Sequence, residues 1–140
     1  LVRAQPARYS AYLDLGRFVI ASASPELFFE RHGRAVTCRP MKGTAPRGRF
    51  LEEDRAARHA LITSEKNRAE NVMIVDMVRN DLARVADVGS VQVTELFTAE
   101  RYRTLWQMTS TVVGESGADL ADIMAALFPC ASVTGAPRIS

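Results

Sequence analysis

Cysteine is nearly absent: Cys38 and Cys130 are the two in 140 residues. A pair so far apart in sequence supports neither a disulfide framework nor a metal cluster. The expectation is two buried thiols in a reducing cytoplasm. Long apolar runs are missing too. The longest, Ile123 to Phe128, falls far short of the ~18 residues that a membrane span needs. Neither sign of charge dominates: the net charge is +2, and basic residues lie scattered among acids. That balance carries no footprint for nucleic acid or an anionic membrane surface. No signal or transit pattern opens the chain, and there is no repeat or low-complexity segment.

What remains is the profile of an ordinary soluble globular protein, 47% hydrophobic and 24% charged, with enough chain for one domain and a real core. Leu1 stands where an initiator Met would, and Arg138-Ile139-Ser140 follows a turn-like segment. Both ends therefore read as cuts, and residues 1–140 as part of a larger domain. Alone, such a piece is expected to be inactive and poorly stable, because it exposes sheet edges and half a core.

Short β-type runs fill the first third: Tyr9 to Leu15, Arg17 to Ala23, Glu26 to Glu30 and Ala35 to Cys38. Pro25, His32-Gly33 and Pro40 punctuate them, which predicts an antiparallel meander. From Leu51 the character turns helical, with Glu52, Glu53 and Asp54 in a first turn that favours negative charge. A second helix is predicted from about Ser64 to Ala86. Its apolar residues, from Val72 to Val85, cover so wide an arc that burial on more than one side is expected. Strands follow at Val91–Phe97 and Leu105–Val113, then an amphipathic helix over Asp119–Phe128 with Asp119 or its neighbour as cap. The sum is an α+β layer structure of antiparallel sheets flanked by helices.

Several residues are suspicious for chemistry. Lys42, in Pro40-Met41-Lys42-Gly43-Thr44, reads as a lysine on a tight turn, either simply solvated or placed where glycine lets a substrate approach. As a nucleophile it would need its pKa, ordinarily about 10.4, depressed by burial or a neighbouring cation. Glu70 shares a helical stripe with Ile74 and Met77. It either pairs with Lys66 or Arg68, faces solvent, or binds a hard cation such as Mg²⁺. Arg79-Asn80-Asp81 reads as an internal network that fixes packing. The turn Thr134-Gly135-Ala136-Pro137 offers backbone N–H groups to a carboxylate. His32 and His59 have no ligand-like company.

These segments also occur in one order. Ser24-Pro25-Glu26-Leu27-Phe28, Pro40-Met41-Lys42-Gly43-Thr44, Ser64-Glu65-Lys66-Asn67-Arg68-Ala69-Glu70-Asn71, Met73 to Leu82, Gly89-Ser90-Val91 and Leu127 to Pro137 resemble successive motifs of the chorismate-binding enzymes. That family includes anthranilate, aminodeoxychorismate, isochorismate and salicylate synthases. The resemblance covers nearly the whole chain, and implies chorismate as substrate, Mg²⁺ as cofactor and a shared fold of antiparallel sheets and helices. Lysine at the position of Lys42 is typical of the aminodeoxychorismate branch, where alanine is usual in anthranilate and isochorismate synthases. In that branch the amine is thought to add at C2 of the ring as the C4 hydroxyl leaves, after which ammonia enters at C4.

Residue by residue, the resemblance implies Lys42 as nucleophile and Glu26 as an aid to proton transfer. It implies Glu70 as a Mg²⁺ ligand, and Gly43, Thr44, Thr134 and Gly135 as substrate-holding residues. It further implies ammonia from a glutamine amidotransferase partner and a place in p-aminobenzoate (folate) synthesis. Anthranilate synthesis, or a structural, subunit-binding part without catalysis, are the alternatives. Three departures stand out. Met41 replaces a common isoleucine, a volume-conserving swap. Gln107 stands where many relatives have a histidine and cannot titrate. Cys130-Ala131 replaces a usual pair of glycines, which is expected to alter that loop.

Overall fold

The structure is a computed structural model that describes residues 8–134, and for Ala131 the backbone alone. Strands β1 (Tyr9–Asp14) and β2 (Val19–Ser24) form a two-stranded hairpin. A second, larger sheet contains β3 (Leu27–His32), β4 (Ala35–Arg39), β5 (Met41–Pro46), β6 (Gln92–Arg101) and β7 (Leu105–Glu115). Helices α1 (Leu51–Thr63) and α2 (Glu65–Ala83) separate β5 from β6. Helix α3 (Leu120–Leu127) and the single turn α4 (Ala131–Thr134) follow the sheet. All pairings are antiparallel, so the architecture is the expected α+β arrangement.

Strand β7 organises the large sheet. On one edge it pairs with β6; on the other, β4 lies against residues 112–115 and β5 against 105–109. Pro40 joins β4 to β5, and its carbonyl accepts the Ser110 N–H at 3.1 Å, so the ladder continues across the break. The sequence reading of 40–44 as a tight turn is therefore corrected: Met41–Pro46 is a strand. Pro40 has no N–H to give, and the proline suits the first or flanking position of such a strand. A register shift between Met41 and Thr44, with Gly43 at φ 95°, kinks it.

Alternation along β7 sorts its side chains into two faces. Trp106, Met108, Ser110, Val112 and Gly114 face the helices. Met108, Ser110 and Val112 are wholly buried. Helix α2 runs over this face. Asn67 packs on Gly43, Asn71 meets Ser110 by a hydrogen bond, and Leu82 covers Gly114. Val36, Cys38, Ile74, Val75, Val78, Leu82, Val112, Ile123 and Leu127 form one core cluster. The opposite face is polar: Thr44 bonds Gln107, Thr109 bonds Glu100 and Thr111 bonds Glu95.

The helix ends follow local chemistry. The Ser64 hydroxyl accepts from the Asn67 N–H and the Asp119 carboxylate from the Asp122 N–H, satisfying orphan first-turn donors. Phe50 gives α1 no side-chain cap. Instead Glu53 and Asp54 reach back to the N–H groups of Arg49 and Gly48. Asp54 also takes two 2.6 Å bonds from Arg47 and one of 2.9 Å from the Trp106 indole. These hydrogen bonds, Arg47's foremost, outweigh burial and hold the Asp54 carboxyl well below the usual range.

Two expectations for α2 are corrected. Its buried residues are Asn71, Ile74, Val75, Val78, Asp81 and Leu82, so only one broad side is covered. Val72 is exposed, because its flank borders an open groove with Arg68, Met73 and Phe97. The polar block also divides rather than forming one internal network. Asp81 is buried, while Asn80 is exposed and Arg79 pairs with Asp76 at the surface. No described helix is long and apolar enough to cross a membrane.

Candidate active site

Glu26 begins the site. It lies between β2 and β3, in a turn held by Ser24, whose hydroxyl donates to the Glu26 carbonyl at 3.0 Å and accepts the Glu26 N–H at 3.2 Å. From there the carboxylate crosses to β5 and accepts the Met41 N–H at 3.4 Å. The next residue is Lys42. Its ammonium donates to the Ser132 carbonyl in α4 at 3.3 Å, a contact across 90 residues of sequence. Three segments far apart in the chain thus converge on one amine and one carboxylate.

Burial raises the proton affinity of Glu26 above its ordinary value, while the Met41 N–H, the Ser132 hydroxyl and the Lys42 charge act in the opposite direction. The carboxylate and the amine therefore sense each other's charge, though each is bonded to a different backbone group. Below Glu26 lies a cavity of about 20 Å³, lined among others by Cys38, Pro40, Asp81 and Cys130.

Gly43 and Thr44 take up different tasks. The Gly43 φ of 95° is one that side chains rarely adopt, and a Cβ there would come within 3.0 Å of the Met108 methyl and 3.3 Å of Asn67. Glycine lets α2 and β7 close around the kink that carries Lys42. Thr44 is exposed, and its hydroxyl donates to Gln107 Oε1 at 2.9 Å across the β5–β7 pair. The residue singled out for lacking a titratable ring therefore fixes the orientation of Thr44.

Glu70 stands one turn beyond Asn67 on α2, and does not join the Lys42–Glu26 group. Its side chain is 46% exposed and faces Lys66 at 3.9 Å, the i,i+4 pairing that helical spacing permits. Among the described residues no cluster of three or more His, Cys, Asp or Glu side chains could hold a metal ion. Glu70 alone is still compatible with Mg²⁺, which retains waters and commonly takes one or two carboxylates. Thr134 ends α4, its hydroxyl donating to the Cys130 carbonyl at 3.3 Å. The anticipated turn thus begins with a helical residue, and Gly135 lies outside the described residues.

Ser132 escaped the sequence reading. No local signal marks it, since its importance comes from facing Lys42 and Glu26 through the fold.

Comparison with known proteins identifies the family. The family model for chorismate binding enzyme matches residues 1–140, and the chain belongs to that family. It is 48% identical to an aminodeoxychorismate synthase of Streptomyces griseus, over 99% of this chain and 20% of that protein. It is 43% identical to anthranilate synthase component 1 of Thermus thermophilus, over 96% of this chain and 29% of that protein. Among solved structures, anthranilate synthase component I from Streptococcus pneumoniae superimposes with a TM-score of 0.83 at 34% identity, covering 98% of this chain and 30% of that one. The chain spans less than a third of the length of these relatives.

Proposed function

We propose that residues 1–140 form part of a catalytic domain that aminates chorismate at C4, giving 4-amino-4-deoxychorismate. The observation that carries this reading is the Lys42 amine, bonded to the Ser132 carbonyl and within electrostatic reach of the Glu26 carboxylate. Direct amination at C2 needs no protein amine at this place; substitution at C4 through a C2 adduct does. Deprotonated Lys42 adds to C2, the two conjugated ring double bonds shift, and the C4 hydroxyl departs as water with the proton released by the newly substituted amine. Ammonia then adds at C4, both double bonds shift back, and the C2–lysine bond breaks to regenerate the amine.

Glu26 would take the Lys42 proton before attack and return it as the lysine leaves. Gly43 permits the kink that presents the amine, and Thr44, oriented by Gln107, offers a hydroxyl two residues along the strand. Thr134 and Gly135 are assigned to the substrate carboxylate. Glu70 would provide one oxygen ligand to Mg²⁺; the bound ion would neutralise a substrate carboxylate and polarise the leaving hydroxyl as a Lewis acid. The word "component" in relatives' names is consistent with a glutamine amidotransferase partner that delivers the ammonia.

Anthranilate synthesis is the second reading, favoured by the 43% and 34% identities to anthranilate synthases. The full-length protein, given chorismate, an ammonium salt and Mg²⁺, separates the two by mass spectrometry of the product. Aminodeoxychorismate, lost by roughly 10³-fold or more in Lys42→Ala, supports the proposal. Anthranilate with pyruvate, insensitive to Lys42→Ala, refutes it.

A further inference from the structure

Two thiols that bond neither Lys42 nor Glu26 share one small space. Cys38, on β4, is 2% exposed, whereas Cys130, in the link between α3 and α4, is half-buried. Both line the cavity of about 20 Å³ beneath Glu26, which has room for about one water. Their proximity is felt electrostatically: burial, then Cys130 and Asp81, push the Cys38 thiol up to about 12. Cys130 Sγ also lies 3.1 Å from Ser132 Oγ, and Ser132 receives Lys42.

We propose that Cys130 is an oxidative modification site, where hydrogen peroxide yields a sulfenic acid that condenses with Cys38 across the cavity into a disulfide. In the first step the Cys130 sulfur is oxidised and the peroxide reduced to water. In the second, the Cys38 sulfur attacks the Cys130 sulfur, the S–O bond breaks, and the hydroxyl leaves with the Cys38 proton as a second water. Cys130, the more exposed, meets peroxide first. Cys38 holds its proton at neutral pH, so condensation is the slower step.

A disulfide requires Cα atoms about 4.4–6.8 Å apart. Cys38 is anchored opposite Val112 in the sheet, so Cys130 is the partner that moves. Its neighbour Pro129 is exposed, in a link between two short helices. Drawing Cys130 toward β4 pulls its sulfur from Ser132 and takes the Ser132 carbonyl away from Lys42. The modification therefore couples oxidation to the amine that the proposed reaction uses.

The test treats the full-length protein with hydrogen peroxide, blocks remaining thiols with iodoacetamide, and maps peptides by mass spectrometry without reductant. A Cys38–Cys130 linked peptide, abolished by dithiothreitol, is expected, together with a loss of turnover of roughly 10–100-fold that dithiothreitol reverses. Cys130→Ala is expected to retain its activity after peroxide. Cys38→Val should leave a Cys130 sulfenic acid that dimedone traps. Alkylation of both cysteines after peroxide, or sulfinic acid at Cys130 with no linked peptide, overturns the proposal. Full activity in the linked protein overturns the coupling to Lys42. The activity arm rests on the proposed amination, whereas the peptide arm needs no substrate, so the two readings fail separately.

Discussion

Replacing Gly43 by alanine probes the kink that presents Lys42. The residue has φ 95°, and holding a non-glycine residue in so sparsely populated a region costs about 1–3 kcal/mol. Space adds a second cost. The new Cβ would sit 3.0 Å from Met108 Cε and 3.3 Å from two Asn67 atoms. Met108 is wholly buried, so its methyl has little room to yield, and overpacking of this kind costs about 1–3 kcal/mol. The sum, about 2–6 kcal/mol, is a large part of a typical folding stability.

Gly33→Ala is the control, because Gly33 has φ 61° with nothing near its would-be Cβ; only the backbone cost of about 1–2 kcal/mol applies. Urea unfolding of the full-length variants under one protocol gives the comparison. Met108→Leu, which withdraws the terminal methyl, should recover part of the Gly43→Ala loss in a double-mutant cycle and none of the Gly33→Ala loss. If Gly43→Ala is no more destabilising than Gly33→Ala, close packing around the Lys42 kink is not what requires glycine.

Two pH-dependent outcomes follow from the carboxylates. Glu26 titrates above the ordinary 4.5 in the folded state because of burial. Its contribution to stability is full in acid and lost as pH rises through the folded value. Glu26→Gln should therefore gain in Tm relative to the unmodified protein between about pH 4 and pH 7, and a constant difference would refute the assignment. Asp54 has the opposite sign. Its carboxyl is held below the ordinary 3.8 by Arg47, so its contribution is present above that value and lost as pH falls. Asp54→Asn should lower Tm at neutral pH by an amount that shrinks in acid, and a pH-independent loss would point to packing alone.

Much of the local structure was legible in the residues themselves. Ser64 and Asp119 announce helix starts because a cap acts on N–H groups only two or three residues ahead. Strand alternation and the breaks at Pro25, Gly33 and Pro40 lie close to the observed boundaries for the same reason. Glu26 and Lys42 stood out through ordered motifs, and the fold brings both to one place. The position of Glu70 in the sequence allowed alternatives, and the structure shows the pairing with Lys66 that its spacing offered, on a half-exposed carboxylate. Helical spacing gives the direction of a side chain and says nothing of what covers it.

The sequence by itself determined the α+β class, the starts of α2 and α3, and the family motifs. Each of these depends on near neighbours or on residue type. Only the tertiary structure decided that the chain after Pro40 is a kinked strand, since Met41 and Thr44 pair with β7 residues more than sixty positions away. It alone placed Ser132 against Lys42, Gln107 against Thr44, and Cys38 beside Cys130 over one cavity. The Gln107 contact depends on the β5–β7 pairing and the others on how α3 and α4 pack back over the sheet; packing sums burial over the whole core, which no short segment encodes.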